Sequence, residues 1–194
     1  MNIDCIQTPR LILRTLTPEV YEYVFTRYSK PELMEFFGCA TEREYEEEYK
    51  KFNDGLSMYR KSLLIFQLIE KESNKVIGWC GYHTWYLNHD RAEIGYAILD
   101  ESKKQKGFMK EALKEVINYG FIKMGLKRIE ALLAPDNNPS LKLVTAFGFQ
   151  KEGVLREHYL TKGRYEDSVM FSLLEREFQT TPLNSFEPAN SKEL

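Results

Sequence analysis

The first part of the chain combines one short apolar segment with a long stretch of helical spacing. The segment RLILRTL, Arg10 to Leu16, is apolar and partly β-branched, which predicts a strand. A helix start follows, with Thr17 as the N-cap and Pro18 at the first helical position. From Val20 to Arg60 aromatic and aliphatic residues recur at helical spacing, so this stretch is predicted to be helical.

The middle of the chain changes to the short apolar runs that are typical of strands. Such runs cover Ser62–Glu70, Val76–Leu87 and Ala92–Leu99, and they are rich in β-branched and aromatic residues. Only the polar segments KESNK and LNHDR separate them. Because these connections are short, the three strands are predicted to form an antiparallel meander.

The last part alternates between the two periods. A helix is predicted from Phe108 to Met124, and Gly125 is placed to end it. A strand (KRIEALLA), a short helix (NPSLKLVTAF) and a hairpin that turns near Lys162-Gly163 are predicted to follow. Residues 179–194 lack periodicity and are predicted to be a flexible tail. The order of elements predicts one mixed α/β domain over residues 1–178.

Composition limits the classes of function. The chain has 194 residues, 43% of them hydrophobic, and a formal net charge of −2, so no direct nucleic-acid partner is expected. Cys5, Cys39 and Cys80 form neither a disulfide framework nor a CxxC pair. The N-terminus has no signal-peptide pattern, and no apolar stretch approaches the length of about 20 residues that crosses a bilayer. These features predict a soluble cytoplasmic protein without a membrane partner.

The segment KKQKGFMKEAL, Lys103 to Leu113, stands out against this nearly neutral background. Its lysines and Gly107 directly precede a predicted helix, whose first N–H groups and dipole favour an anion. The segment matches neither G-x-x-x-x-G-K-[ST] nor G-x-G-x-x-G, so ATP-type loops and dinucleotide folds are not indicated. It predicts either a site for a diphosphate ligand or a solvated cluster of lysines.

Three local motifs occur in a fixed order along the chain. The segment Lys104–Met109 resembles the form [QR]-x-x-G-x-[GA], with its central glycine present but lysine first and methionine last. The segments Asn137–Arg156 and Tyr159–Leu174 resemble two further segments, which close the domain in the family of enzymes that carries this loop. Their matching residues are Asn137, Ser140, Gly148, Phe149, Glu152, Gly153, Gly163, Tyr165 and Asp167. From Thr8 to about Glu175 the chain therefore resembles the GCN5-related N-acetyltransferases (GNAT), in particular the RimJ/RimL-like acetyltransferases of ribosomal-protein N-termini.

The resemblance implies acetyl-CoA as co-substrate, no metal, and an α/β fold of mixed α+β type. Its central sheet would be mostly antiparallel, splayed at the cofactor site and flanked by helices. The thioester would be held in the split by backbone groups, and the pyrophosphate would bind to the loop before the helix. The predicted cofactor-binding residues are Ile98, Leu99, Lys104, Gln105, Lys106, Gly107, Phe108, Met109, Lys110, Asn137 and Ser140.

Glu93 and Ser140 are the candidate catalytic residues. Alternation places Glu93 on one strand face with Gly95 and Ala97, whose small side chains would leave space beside the carboxylate. Glu93 could then accept a proton from an amine, or it could instead be an exposed strand carboxylate that pairs with Arg91 or a neighbour. Ser140 is either an acid or orienting group near the sulfur or a simple helix-start hydroxyl.

Two other positions are not predicted to move protons. His83 is expected to share a strand face with Trp79 and Trp85, which indicates aromatic packing rather than a base. Many members of the family outside the subgroup use a tyrosine as the acid four residues after Ser140, and Val144 stands at that position here.

The sequence thus predicts an N-acetyltransferase in which an amine attacks acetyl-CoA directly in a ternary complex. A protein N-terminal α-amine of the ribosomal-protein type is the expected acceptor, and a small amine such as an antibiotic or a polyamine is the alternative. The acidic stretch Glu42–Glu48 is either a solvated face or the flank of a site for a cationic acceptor. A non-catalytic acyl-CoA-binding module and a lysine-rich RNA or ribosome binder stay open as other classes, as does a monomer or a homodimer.

Overall fold

The computed structural model describes residues 1–56, 61–178 and 186–188, and all the structural statements below concern these residues. The first part contains two antiparallel strands, β1 (Asp4–Gln7) and β2 (Leu11–Leu16). Three helices follow: α1 (Pro18–Arg27), α2 (Lys30–Phe37) and α3 (Glu42–Asp54). The predicted start of the first helix is confirmed, because the Thr17 side chain accepts a hydrogen bond from the Val20 N–H and Pro18 is the first helical residue.

The predicted meander is confirmed. Its strands are β3 (Lys61–Glu70), β4 (Lys75–Tyr86) and β5 (Arg91–Ile98), and each pairs antiparallel with the next. The remaining elements are α4 (Phe108–Ile122), β6 (Arg128–Leu133), α5 (Asn138–Ala146), β7 (Gln150–Thr161), β8 (Arg164–Leu174) and β9 (Phe186–Pro188). Short 3-10 turns lie at Glu101–Lys103 and Glu175–Glu177.

The structure adds two strands that the sequence pattern did not indicate. β1 has four residues, too few for alternation to stand out, and β2 holds it in place. β9 lies within the predicted flexible tail and pairs antiparallel with β1. The rest of that tail, residues 179–185 and 189–194, lies outside the described residues, as do residues 57–60 at the end of the predicted helical stretch.

The strands form one sheet in the order β7-β8-β6-β5-β4-β3-β2-β1-β9. Every neighbouring pair is antiparallel except β5 and β6, which run parallel because the chain crosses over through α4 between them. The predicted fold class, a mixed α/β domain with a mostly antiparallel sheet flanked by helices, is confirmed.

Alternation along the strands separates two apolar clusters. On one face, side chains such as Phe66 and Leu68 pack against α4 in the main core. On the other face, Leu16 and Ile65 pack with α1 and α2 in a smaller cluster. α4 therefore belongs to one side of the sheet, and the first helices belong to the other.

A buried arginine attaches α2 to this second face. The Arg14 guanidinium donates to Gln67 Oε1 at 2.9 and 2.7 Å and to the Phe36 carbonyl at 2.6 Å. It also lies 3.9 Å from the centre of the Phe36 ring. Burial lowers the pKa of Arg14 to about 10, so the group stays charged at neutral pH. These contacts fix the end of α2 above a cavity described below.

Candidate active site

The sheet opens beside β5. β4 pairs with β5 along its length, from Gly78 opposite Ile98 to Tyr86 opposite Arg91. β6 pairs with β5 only over residues 91–93, opposite residues 128–130, and the two strands then separate. The backbone of residues 94–98 consequently faces a split rather than a partner strand on that edge. The predicted splay is present, and it begins at Glu93.

The two residues predicted to hold the thioester lie at the end of this open edge. Ile98 is the last residue of β5, and Leu99, which follows it, is 61% exposed. The Leu99 N–H donates to the Ile77 carbonyl at 2.9 Å. Because that donor is engaged, the backbone donors that can face a ligand carbonyl come from residues 94–98 rather than from Leu99.

Glu93 occupies the fork itself. It lies opposite Thr84 of β4 on one side and opposite Glu130 of β6 on the other. Its side chain is 15% exposed. Burial, followed by the nearby negative charge of Glu130, raises the pKa of Glu93 to about 7, against a smaller lowering by Arg91. A carboxyl with this pKa can both take and release a proton near neutral pH.

The alternative, in which Glu93 pairs with Arg91 or a neighbour, is present only in its second form, because the partner of Glu93 is not Arg91. Arg91 donates to Glu130 Oε2 at 2.7 Å. The neighbour of Glu93 is His83, whose Nε2 lies 3.4 Å from Glu93 Oε1. Burial lowers the pKa of His83, so the imidazole is neutral at pH 7 and can act as a hydrogen-bond partner for the carboxyl group.

A β-bulge brings His83 to this position. The register between β4 and β5 shifts between Tyr82 and Thr84, which leaves His83 as the extra residue. The shift also reverses the faces beyond it, so Trp85 packs against the main core. The prediction that Trp85 shares a face with His83 was therefore wrong, because strict alternation cannot anticipate a bulge.

The sequence predicted open space beside Glu93 at Gly95, and this prediction was wrong. A Cβ atom on Gly95 would lie 2.6 Å from His83 Cδ2 and 3.2 Å from Trp79 Cη2. The glycine thus makes room for two aromatic rings of this protein. These rings form the wall of the site next to Glu93.

The loop before α4 has the geometry of an anion site. Gly107 is the N-cap of α4 in the left-handed region, with φ of +81°, and Gln105 has φ of +58°. A cavity of about 320 Å³ lies against this helix start. It is lined by Gly107, Lys110, Glu111, Lys114 and Phe147.

The lysines and apolar residues of the loop differ in their contacts. Lys103 Nζ lies 2.5 and 2.7 Å from the carboxylate oxygens of Glu70, and Lys104 pairs with Glu101. Phe108 is buried and Met109 packs against the main core, so their backbone rather than their side chains can face a ligand. Lys110 lines the cavity, and no ion pair occupies it among the described residues.

Sequence reasoning missed the contacts that hold this loop to the sheet. Glu111 accepts hydrogen bonds from the Thr8 hydroxyl at 2.6 Å, the Arg10 N–H at 2.8 Å and Arg10 Nε at 2.7 Å. Arg10 Nη1 also donates to the Lys106 carbonyl at 3.0 Å. The Arg10 guanidinium lies 4.2 Å from the centre of the Phe108 ring. We call Arg10 and Glu111 the loop clamp; its partners are about 100 residues apart, beyond any local pattern.

Asn137 and Ser140 begin α5 on the far side of the split. Asn137 Oδ1 accepts from the Ser140 N–H at 3.2 Å, so Asn137 is the helix cap. The Ser140 side chain reaches towards Tyr96 of β5. Burial raises the pKa of Tyr96 to about 12, and its contact with the Ser140 hydroxyl lowers it in part. These two hydroxyl groups approach each other across the split.

A second cavity, of about 210 Å³, lies on the opposite face of the sheet beneath α1–α3. It extends from Leu99 to His83, and Glu48 contributes a carboxylate. Glu48 Oε2 accepts from the Tyr21 hydroxyl at 3.0 Å, and its other oxygen pairs with Lys51. The predicted acidic stretch is therefore divided, because Glu48 faces this cavity while Glu42 pairs with Lys30 at the surface.

Neither a metal site nor a membrane-spanning helix is found in the described part of the chain. Over the described ranges, no three or more His, Cys, Asp or Glu side chains come together in a way that could hold a metal ion. In the same part of the chain, no helix combines the length and apolar character needed to cross a membrane.

Comparisons with known proteins place this arrangement in a family. The model of the acetyltransferase (GNAT) domain matches residues 10–150. The chain is 37% identical over 178 residues to the uncharacterized N-acetyltransferase p20 of Bacillus licheniformis, covering 91% of this chain and 99% of that protein. It is 30% identical over 113 residues to the ribosomal protein uS5-alanine N-acetyltransferase of Escherichia coli, with 58% of each chain covered.

A solved structure gives the same fold at lower identity. The spermidine N-acetyltransferase chimera of SpeG from Vibrio cholerae and hSSAT superimposes with a TM-score of 0.63 at 21% identity, covering 87% of this chain and 97% of that chain. The family match over residues 10–150 and the relative at 37% identity show that the predicted resemblance was correct. The chain belongs to the GNAT family and is an N-acetyltransferase.

Proposed function

We propose that this protein transfers the acetyl group of acetyl-CoA to a protein N-terminal α-amine, with Glu93 as the general base. The observation that carries the proposal is the position of Glu93. It lies where the sheet opens, beside His83 of the cavity beneath α1–α3, and its pKa is about 7. The family to which the chain belongs uses acetyl-CoA, and the residues of this protein fit that co-substrate.

The fit rests on two features. The start of α4 offers backbone N–H groups, the helix dipole and the Lys110 ammonium to a pyrophosphate. The open edge of β5 offers backbone groups of residues 94–98 to the amide-rich pantetheine arm, in the manner of an added strand. Bound there, acetyl-CoA supplies an activated acetyl group.

The residues of the protein then have distinct tasks. The Glu93 carboxylate takes a proton from the amine as the amine attacks, and neutral His83 holds the carboxyl group in place. Backbone N–H groups in residues 94–98 donate to the carbonyl oxygen as it gains negative charge. Asn137 orients the start of α5 beside the split.

The pKa of Glu93 favours an α-amine over an alkylamine. An α-ammonium group has a pKa of about 8, so its proton transfer to a carboxylate of pKa about 7 is unfavourable by only about 10-fold. A lysine-type ammonium has a pKa of about 10.4, and the same transfer is unfavourable by more than about 1000-fold. Glu93 is therefore matched to a protein N-terminus.

An exposed apolar surface near Glu93 supports an acceptor of peptide size. The β7–β8 hairpin presents Tyr159, Leu160 and Tyr165, which are 48%, 62% and 67% exposed. Partial burial and then the charge of Glu93 raise the pKa of Tyr159, so Tyr159 lies within electrostatic range of Glu93. A peptide whose N-terminus reaches Glu93 could extend over these residues, whereas a small amine would not use them.

One observation favours a small cationic amine as the second candidate acceptor. The Glu48 carboxylate lies in the cavity of about 210 Å³ and pairs there with Lys51, whose place a substrate ammonium could take. Such a cation would need another way to lose its proton, because its pKa lies far above that of Glu93.

The proposal is tested in two steps. First, the thermal shift of the protein is measured with acetyl-CoA, with ATP and NAD as controls. A ligand at 100 times its Kd stabilises the native state by about 2.7 kcal/mol, so a shift confined to acetyl-CoA and CoA is expected. Equal shifts with all three ligands would reduce the loop to a general anion patch.

Second, acetyl transfer is compared for three acceptors. These are a peptide with a free N-terminus and no lysine, the same peptide with a blocked N-terminus and one lysine, and spermidine. The first should be acetylated at least 10 times faster than the others. Faster transfer to spermidine would replace the proposed acceptor with a small amine.

A further inference from the structure

The Tyr96 hydroxyl is an unusual group in this structure. It is buried, and it has no hydrogen-bond partner of good geometry among the described residues. A buried polar atom without a partner destabilises the folded state, so most such groups in proteins are paired. The nearby Ser140 hydroxyl lowers the pKa of Tyr96 in part, but it does not form a hydrogen bond of good geometry with the Tyr96 hydroxyl.

The position of Tyr96 on β5 indicates which part of a bound ligand its hydroxyl could contact. Tyr96 belongs to the part of β5 beyond Glu93, where the strand faces the split. Alternation puts Tyr96 on the opposite face of β5 from Glu93, because Tyr96 lies an odd number of positions, three, after Glu93. Tyr96 accordingly packs with the main core on the side of α4.

That side is the one on which CoA would enter. The Gly107 loop begins α4, and the cavity against it lies between α4 and Phe147 at the end of α5. A pantetheine arm running from this loop into the split would bring its terminal sulfur to the Tyr96 side. The amine would arrive from the Glu93 side, where the other cavity lies.

We propose that Tyr96 is a further catalytic residue, whose hydroxyl donates a hydrogen bond to the sulfur of CoA as the thioester bond breaks. The inference rests on the proposed use of acetyl-CoA. In the step, the amine nitrogen forms the new C–N bond, its proton goes to Glu93, the C–S bond breaks and its electron pair stays on the sulfur. Tyr96 keeps its own proton and stabilises the thiolate that forms.

Hydrogen-bond donation, rather than proton transfer, follows from acidity. The pKa of Tyr96 is about 12, whereas a thiol has a pKa of about 8.5. A complete proton transfer from Tyr96 to the thiolate would be unfavourable by more than about 1000-fold. A neutral phenol facing an anionic acceptor, in contrast, makes a strong hydrogen bond. Val144 is buried and apolar and offers no donor from α5.

The test uses Tyr96→Phe, with Tyr82→Phe as the matched control. Tyr82 lies on the neighbouring strand with its ring in the same core, but its hydroxyl donates to the Val116 carbonyl at 2.8 Å. Removing the Tyr96 hydroxyl removes only its imperfect contact with the half-buried Ser140, so Tyr96→Phe should fold with unchanged or greater stability. Tyr82→Phe should lose stability, because the buried Val116 carbonyl loses its donor.

The decisive measurement is the affinity for CoA relative to desulfo-CoA, which lacks the sulfur. The native protein and Tyr82→Phe should bind CoA about 3- to 10-fold more tightly than desulfo-CoA, the range expected for one hydrogen bond. In Tyr96→Phe this preference should disappear, while the affinity for desulfo-CoA stays unchanged. The single-turnover rate of acetyl transfer should also fall by about 10- to 100-fold, since the hydrogen bond to a charged group is stronger.

The outcomes separate this inference from the proposed function. If the native protein and Tyr96→Phe show the same preference for CoA and the same transfer rate, Tyr96 has no catalytic role although the acetyltransferase proposal stands. If Tyr96→Phe is destabilised as much as Tyr82→Phe and keeps its preference for CoA, the hydroxyl is structural. If the native protein binds neither CoA nor desulfo-CoA, both the inference and the proposed co-substrate are wrong.

Discussion

The two edges of β5 differ in one respect that creates the site. β5 pairs with β4 from residue 91 to residue 98, whereas its pairing with β6 stops after three residues. β5 and β6 are parallel, so the chain must cross over between them, and that crossover contains the Gly107 loop and α4. The same strand therefore has one edge that completes the sheet and one that can bind an extended ligand.

The two carboxylates at the fork show the same contrast at the level of single residues. Glu130 accepts hydrogen bonds from Arg91 and from Arg128, both at 2.7 Å. Glu93, directly opposite, has the neutral His83 as its neighbour, and it feels the charge of Glu130. Glu130 is held as a carboxylate by two arginines, and Glu93, without such a partner among the described residues, has a pKa suited to proton transfer.

Glu93→Gln should have the largest effect. The amide keeps the shape of the side chain but cannot accept a proton, so kcat/KM should fall by about 100-fold or more. Acetyl-CoA affinity should stay within twofold, because Glu93 faces the amine. In the native enzyme the rate should rise with pH to a plateau above about 7, since the carboxylate is the active form. A variant with an unchanged rate and pH profile would remove Glu93 from the mechanism.

The stability of the same variant should depend on pH. The pKa of Glu93 is raised from 4.5 to about 7 on folding, so the native protein favours the protonated form and loses stability as pH rises through this range. Glu93→Gln, which is neutral throughout, should match the native protein at pH 4. It should exceed the native free energy of unfolding by up to about 3 kcal/mol at pH 8. Urea denaturation at the two pH values measures this, and a constant difference would mean that the pKa is not raised.

The glycine before α4 should affect binding rather than stability alone. Gly107→Ala forces a side chain into the left-handed region at φ of +81°, at a cost of about 1–2 kcal/mol. Gly125→Ala, at φ of +68° beyond the other end of α4, carries the same backbone strain and has no atom within 4 Å of its Cβ. Both variants should lose similar stability.

Only Gly107→Ala should also weaken acetyl-CoA binding, by about 5- to 10-fold, because the loop presents its backbone to the ligand. Isothermal titration of both variants provides the comparison. Equal affinities would show that the ligand does not contact this helix start.

The smallest expected effect is a difference in acetyl-CoA affinity between variants of Lys110 and Lys103. Lys110→Ala should weaken acetyl-CoA binding by about two- to fivefold at low salt, with less effect at high salt, as for an exposed charge. Lys103→Ala should leave the affinity unchanged, because Lys103 is paired with Glu70 on the end of β3. Titrations at two salt concentrations distinguish them, and equal losses would indicate a diffuse lysine patch.

Local sequence patterns predicted the elements that carry the site, and non-local contacts account for what they missed. The loop at Gly107, the meander and the position of Glu93 follow from composition and alternation. The bulge at His83 does not, because it depends on how β4 and β5 fit together. Nor does the loop clamp, whose Arg10 and Glu111 meet only in the folded chain.

Tyr96 illustrates the same limit. In the sequence it is one more aromatic residue in a strand, and it is distinguished only because its buried hydroxyl finds no hydrogen-bond partner in the described part of the chain. Satisfied and unsatisfied tyrosines, such as Tyr82 and Tyr96, look identical until the packing is known.

The most direct test of the open edge is amide hydrogen exchange with and without acetyl-CoA. In the protein alone, peptides covering residues 94–98 should exchange faster than those of β4, which is paired on both sides. Acetyl-CoA should slow exchange in residues 94–98 and in the loop at residues 105–111, and leave β1 and β2 unchanged. Binding of acetyl-CoA without protection of residues 94–98 would contradict the account, because the ligand would then lie elsewhere than along the open edge of β5.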